Sequence, residues 1–178
     1  MSCFALIPAA GSGSRMGAVT PKQYLDLLGR PLIWHTIAAL SAVPEIARVC
    51  VVISAGDEWW GEYDWSAFDR LDVLRCGGAT RADSVCSGLR AAKGQLVAIH
   101  DAARPFVSEQ VITDALAEAE AMGAAAPAVA VKDTIKIAND GAVVQTPDRA
   151  ALFAVQTPQC FCRNLYWKAL EAVQGEKV

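Results

Sequence analysis

Apolar residues fall along this chain in two alternating rhythms. Unbroken runs at Phe4–Ile7, Val49–Ile53, Leu71–Leu74, Leu96–Ile99 and Ala124–Val131 show little polar alternation, the pattern of strands covered on both faces. Between them, Pro31–Ala42, Asp83–Ala92 and Ser108–Ala121 carry apolar residues at helical spacing. Pro31 suits a first helical turn, Ser108 with Glu109 supplies a helix start, and Gly123 supplies a C-terminal stop. Strand–helix alternation at this spacing predicts an α/β fold: an open, mostly parallel twisted sheet flanked by helices. No internal repeat, low-complexity tract or long linker interrupts it, so residues 1–178 read as a single domain.

One segment departs from that rhythm. DTIKIANDGAVVQT (Asp133 to Thr146) reads as strand, Asn139-Asp140-Gly141 turn, strand, a β-hairpin arm at about residues 133–150. An isolated hairpin is marginal in water, so its apolar residues Ile135, Ile137 and Val143 need a surface to pack on. That surface is either the parent sheet or a second subunit.

Composition narrows the function. With 178 residues, 53% of them hydrophobic, the chain can bury one full core. Its net charge of -3, with acids and bases interspersed, offers no basic face to nucleic acid. Cys3 to Ile7 is too short for a secretory signal core, and no stretch approaches a membrane span. Cys3, Cys50, Cys76, Cys86, Cys160 and Cys162 are scattered without the density of a disulfide scaffold, which predicts a reducing, cytoplasmic setting. Cys160-x-Cys162 has neither histidine near it in sequence and reads as two structural thiols. DEWWGEYDW (Asp57 to Trp65) reads as an aromatic cap over the sheet, not a stacking platform for nucleic acid.

The candidate chemistry begins at PAAGSGSRMG, Pro8 to Gly17, directly after the first apolar run. A Gly-rich turn there sits at the carboxyl edge of the sheet, where open α/β folds bind ligands. Its glycines let backbone N–H groups converge on an anion, and Arg15 and Lys22 add fixed positive charge, so Pro8, Ala9, Ala10, Gly11 and Gly13 read as a triphosphate cradle. Walker A spacing fails because Ala18 follows Gly17, and Gly11-x-Gly13 is followed by Met16 where the dinucleotide fingerprint needs glycine. Alone, the loop also reads as a bare surface turn. Two further loops change that reading. GGATRADSV (Gly77 to Val85) follows the third strand and HDAARPF (His100 to Phe106) the fourth, so all three share one edge. Asp101, at a strand end near a polyphosphate, is placed to hold Mg²⁺, although a turn cap is its alternative role. Arg81 on the nucleotide side and Arg104 on the substrate side read as anion contacts or surface ion pairs, and His100 as a hydrogen-bonded support.

Taken in order, PAAGSGSRMG, PKQYLDLLGRPLIWHTI, GGATRADSV, HDAARPFV and DRAALFAVQTPQCF resemble the 2-C-methyl-D-erythritol 4-phosphate cytidylyltransferase family, over nearly the whole chain. The resemblance implies a Rossmann-like nucleotidyltransferase fold and transfer of CMP from CTP onto a polyol phosphate with Mg²⁺, releasing pyrophosphate. It also implies a homodimer with a protruding hairpin arm. Arg15 and Lys22 match catalytic cations, as expected where charge builds on the α-phosphate oxygens. Ala9, Ala10, Gly11, Gly78 and Ser84 match positions around cytosine and ribose, and Asp101 matches the metal and ribose position. Thr134, Arg149 and Thr157 match substrate-phosphate contacts, with Thr134 and Arg149 reaching from the neighbouring subunit. The family also carries a later "DNxK" segment, supplying an acid and a lysine, past the helix that begins near Asn164. The 178 residues do not contain that segment, and the resemblance implies weak turnover without it. Two other readings share these motifs: a ribitol-5-phosphate cytidylyltransferase, and a CTP-binding dimer partner that does not catalyse.

Overall fold

The computed structural model describes residues 2–11, 20–91 and 93–175. Its elements are β1 (Cys3–Pro8), β2 (Asp26–Leu27), β3 (Arg30–Pro31), α1 (Leu32–Ser41), β4 (Ile46–Val52), β5 (Leu71–Leu74), α2 (Arg81–Ala91) and β6 (Leu96–Ile99). They continue with α3 (Glu109–Met122), β7 (Ala124–Ala125), β8 (Ala128–Ala130), β9 (Ile137–Asn139), β10 (Ala142–Gln145), β11 (Phe153–Val155), β12 (Gln159–Cys162) and α4 (Arg163–Gly175). The central sheet has the order β5-β4-β1-β6-β12-β7. The first four of these are mutually parallel, and β12 runs antiparallel to both its neighbours.

Successive strand residues point to opposite faces, so strands buried on both sides must be apolar throughout. Ala5, Ile7, Val49 and Val51 pack on one face against Ile33, Ile37 and Leu40 of α1 and Ile112 and Leu116 of α3. Phe4, Leu6, Cys50, Val52, Val97 and Ile99 fill the other face with Val85 and Leu89 of α2 and Tyr166, Trp167 and Leu170 of α4. This is the doubly covered, mostly parallel sheet that the runs predict. Pro31 stands just before α1 in extended conformation, at ψ of 146°, and not in its first turn, whereas the signals at Ser108 and Gly123 hold. The Ser108 hydroxyl accepts the Val111 N–H at 3.3 Å, and Gly123 closes α3 with φ of 90° and its N–H on the Ala119 carbonyl at 2.9 Å.

The run Ala124–Val131 is not one strand. It divides into β7, in the central sheet, and β8, which pairs with β11 in a separate two-stranded ribbon. Pro127 lies between the two, and proline neither donates to a ladder nor leaves its predecessor free. The strand β12, four residues flanked by Pro158 and α4, was not among the predicted elements.

The hairpin forms as predicted. β9 and β10 pair across Asp140 and Gly141, whose φ values of 48° and 81° are those of a tight hairpin turn. Among the described residues it pairs with no strand of the central sheet. Ile137, Val143 and Val144 are 45%, 61% and 62% exposed, and the adjacent β8–β11 ribbon leaves Val129, Phe153 and Val155 more than half exposed. Both two-stranded ribbons thus carry apolar side chains open to solvent.

The aromatic segment packs on the core beside α1. Trp60 stacks on Trp65 at 4.0 Å, and Tyr24 stacks on Tyr63 at 5.9 Å. Cys160 is fully buried, and burial pushes its thiol up to about 12, so it behaves as a small apolar residue. Among the described residues no group of three His, Cys, Asp or Glu side chains is placed to hold a metal ion. No helix among them is long and apolar enough to cross a membrane.

Candidate functional site

The parallel strands end together, and the loops that leave them meet. After β1, the Ala9 N–H donates to the Val52 carbonyl at 2.8 Å, keeping the chain against β4 for one residue more. The loop that follows is held by Gln23, whose side-chain amide donates to the carbonyls of Ala9 at 2.9 Å and Gly11 at 3.0 Å. After β5, the Gly77 N–H donates to the Ile53 carbonyl at 2.9 Å and lays that loop directly on the first. A Cβ on Gly77 would lie 2.2 Å from the Ala10 Cβ and 2.9 Å from the Ile53 carbonyl oxygen, so no side chain fits between the loops. Gly77→Ala is therefore expected to separate them, lowering the melting temperature by several degrees and weakening nucleotide binding at least tenfold. A thermal scan and a nucleotide titration of the same sample check both effects.

The loop after β5 opens α2. Thr80 and Asp83 exchange hydrogen bonds in a reciprocal cap: the Thr80 N–H and hydroxyl donate to Asp83 Oδ2 at 3.0 and 2.7 Å. The Asp83 N–H donates back to the Thr80 hydroxyl at 3.1 Å. Beneath it, the Ser84 hydroxyl donates to the Thr80 carbonyl and accepts the Gly78 N–H at 3.2 Å. A Cβ on Gly78 would meet the Asp83 Cβ at 2.3 Å, so that turn too requires glycine.

That cap fixes Arg81 in the first turn of α2, facing the end of β6. There the Asp101 carboxylate takes a cation on each oxygen: Arg81 reaches Oδ1 at 3.1 Å and Arg104 reaches Oδ2 at 3.0 Å. Arg104 also hydrogen-bonds Gln156, and the Asp101 N–H meets the Thr157 hydroxyl at 3.4 Å. His100 holds the turn from below. Its Nε2–H donates to the Arg104 carbonyl at 2.9 Å, which leaves Nδ1 buried and without a partner among the described residues. Burial lowers the pKa of His100, which keeps the ring neutral in its supporting role. The Thr36 hydroxyl donates to the Ala102 carbonyl at 2.9 Å and ties the turn to α1.

The side chains of the Asp101 ion-pair cluster stay between 33% and 46% exposed. Pairs so open to water are worth about 0–1 kcal/mol each, so an arriving polyphosphate can take over both guanidiniums at little cost. The edge thus gathers two guanidiniums on one solvent-exposed carboxylate, an arrangement able to receive an anion.

Of the sequence-predicted residues, the structure brings Pro8, Ala9, Ala10, Gly11, Gly78, Arg81, Ser84, Asp101, Arg104 and Thr157 to this edge. Lys22 is the exposed residue of the turn Lys22–Tyr24; its side chain has no partner among the described residues, and its neighbour Gln23 is buried. Gly13 and Arg15 lie outside the described residues. Thr134 and Arg149 do not join the Asp101 cluster: both are exposed on the arm, where Arg149 donates to the Lys132 carbonyl at 2.9 Å. Gln23, Thr36, Gly77 and Gln156 belong to the site's framework, and sequence reading did not single them out. A cavity of about 390 Å³ lined by Phe4, Arg48, Cys50, Asp72 and Leu74 includes none of these site residues.

The sequence model of the 2-C-methyl-D-erythritol 4-phosphate cytidylyltransferase family matches residues 3–178. A protein of that name from Dechloromonas aromatica (strain RCB) is 51% identical over 177 residues, which cover 94% of this chain and 77% of the relative. One from Azoarcus sp. (strain BH72) is 48% identical over 178 residues, covering 95% and 75%. Among solved structures, the cytidylyltransferase of Thermus thermophilus superposes with a TM-score of 0.80 at 35% identity, over all of this chain and 79% of that one. That of Francisella tularensis gives 0.83 at 28% identity, over 99% and 80%.

Proposed function

This chain belongs to the 2-C-methyl-D-erythritol 4-phosphate cytidylyltransferase family, and from that membership and the edge just described we propose how its residues share the work. The enzyme is a nucleotidyltransferase that moves CMP from CTP onto 2-C-methyl-D-erythritol 4-phosphate in isoprenoid precursor biosynthesis. A phosphate oxygen of the acceptor attacks the α-phosphorus of CTP. The bond from that phosphorus to the bridging oxygen breaks, and pyrophosphate leaves.

The observation that carries the assignment is the meeting of three loops at one edge: Ala9–Gly11, Gly77–Gly78 and His100–Arg104. In this assignment Pro8, Ala9, Ala10, Gly11, Gly13, Gly78 and Ser84 hold the nucleoside and the start of its phosphate chain, largely through backbone groups. Arg15 and Lys22 oppose the charge that builds on the α-phosphate oxygens, where preplaced cations act most strongly. Arg81 turns from Asp101 to the nucleotide. Arg104 and Thr157 meet the acceptor phosphate. His100 stays neutral and supports the turn.

Asp101 is the residue that would hold Mg²⁺. A single carboxylate suits this ion when the remaining ligands are phosphate oxygens and water, as they are for a metal that arrives with a triphosphate. Both carboxylate oxygens now face guanidiniums, so the exchange needs Arg81 and Arg104 to move to phosphate, which their solvent-exposed pairs allow. When bound, the ion neutralises phosphate charge and orients the leaving pyrophosphate.

The working unit in this proposal is a cytoplasmic homodimer of one-domain subunits. The exposed apolar residues on β8–β11 and β9–β10 meet the second subunit, and Thr134 and Arg149 of each arm serve the partner's acceptor phosphate.

Nucleotide and acceptor choice test the assignment. At about 100 times Kd, a ligand stabilises by about 2.7 kcal/mol, which is about 5–10 °C for a domain of this size. CTP with Mg²⁺ is expected to give that shift, and ATP and GTP much less. Pyrophosphate release is expected with 2-C-methyl-D-erythritol 4-phosphate and not with ribitol 5-phosphate. Equal shifts from all three nucleotides would remove cytidine specificity, faster release with ribitol 5-phosphate would reassign the acceptor, and CTP binding without release would point to a non-catalytic dimer partner.

A further inference from the structure

Gln23 is a buried polar side chain between exposed neighbours, Lys22 and Leu25, with Tyr24 as its buried companion. It is only 3% exposed, and both its amide donations go to one loop, to the carbonyls of Ala9 and Gly11. Two acceptors facing one amide settle which way round it sits, because its oxygen would be repelled there. Gln23 itself is rigidly mounted. The Tyr24 N–H donates to the Pro21 carbonyl at 2.8 Å, the buried Tyr24 ring stacks on Tyr63, and its hydroxyl donates to Asp57 Oδ2 at 2.9 Å. Asp57 in turn accepts the N–H groups of Trp59 and Trp60. The aromatic cap is therefore a fixed post, Tyr24 is its bracket, and Gln23 is the arm that reaches the loop.

Across a planar trans peptide the C=O and the following N–H point in opposite directions. With the Ala9 carbonyl turned to Gln23, the Ala10 N–H faces the other way, on the side of the loop away from the amide. We propose that Gln23 is a positioning residue for nucleotide transfer: it aims the backbone donors of the first loop at the nucleotide and holds Lys22, next in the chain, in register with them. The proposal rests on the reading of that loop as the nucleotide cradle.

The test compares Gln23→Met, which keeps the bulk and loses both donors, Gln23→Glu, which puts oxygens against the two carbonyls, and Gln23→Asn, which keeps a shortened amide. Melting temperature, kcat and the KM for each substrate are measured on each variant and on the unaltered chain. Leaving two buried carbonyls unpaired is expected to raise the KM for CTP about 10- to 100-fold in the Met and Glu variants and to lower kcat. The KM for the acceptor phosphate stays within about twofold of the unaltered chain, and Asn, which keeps the amide on a shorter stem, falls between. A lower melting temperature with both KM values and kcat per folded molecule unchanged would make Gln23 a purely structural residue and overturn the proposal. Failure of all three variants to fold would do the same. If the unaltered chain itself does not saturate with CTP, the cradle reading falls first and the proposal with it.

Discussion

Lys22→Ala is expected to leave a folded protein that still binds CTP and turns it over about 10²–10³ times more slowly. Lys22 is exposed, its side chain has no partner among the described residues, and it sits in a turn held by its neighbours Gln23 and Tyr24. Removing its side chain breaks no contact of the fold, so the melting temperature should move by less than about 2 °C. The loss appears instead where charge grows during attack on the α-phosphorus. An ammonium there interacts more strongly with the transition state than with bound CTP, so kcat falls and CTP affinity changes by only a few-fold. Lys22→Arg restores little, because a planar guanidinium cannot take the place of a compact ammonium at one oxygen. Arg15→Ala shifts kcat in the same direction. Steady-state pyrophosphate release beside a CTP titration separates the two quantities. A kcat within about threefold of the unaltered chain would take Lys22 out of the reaction.

The sheet was legible because it is buried on both faces: Phe4–Ile7, Val49–Ile53 and Leu96–Ile99 have no polar face to hide, and their runs are long enough to stand out. Ser108 and Gly123 were legible because capping is local chemistry. Gln159–Cys162 was not, since four residues carry too little periodicity and become a strand only by pairing with Ile99 to Leu96 across more than fifty positions of chain. The division of Ala124–Val131 is written in Pro127 alone, a single break inside an otherwise continuous apolar run. At the site, the glycines and charges announced themselves, whereas their mutual arrangement did not. Asp101 is visible as an acid at a strand end, yet its grip on both Arg81 and Arg104 depends on how α2 lies against β6. Gln23 looks like any surface glutamine until the fold carries Ala9 and Gly11 to it. Gly77 is one of two adjacent glycines, and only the 2.2 Å approach to Ala10 shows which contact forbids a side chain.

In the proposed dimer, a site at the carboxyl edge of one sheet is completed by the other subunit's arm. Three features of the arm support it. Its apolar residues are open to solvent in the single chain, it pairs with no strand of the central sheet, and Arg149 lies on it rather than beside Asp101. Lys22, by contrast, is bound to its own chain's loop through Gln23. Lys22→Ala and Arg149→Ala homodimers should therefore both be impaired, each at every site. Refolding equal amounts of the two together gives about half mixed dimers, each with one doubly damaged site and one site that has both residues. The direct measurement is the pyrophosphate release rate of that mixture against the two parents and the unaltered protein. Recovery to about a quarter of the unaltered rate is expected, since about a quarter of all sites are intact. Mixed dimers that are demonstrably present, yet no faster than the parent variants, would contradict it.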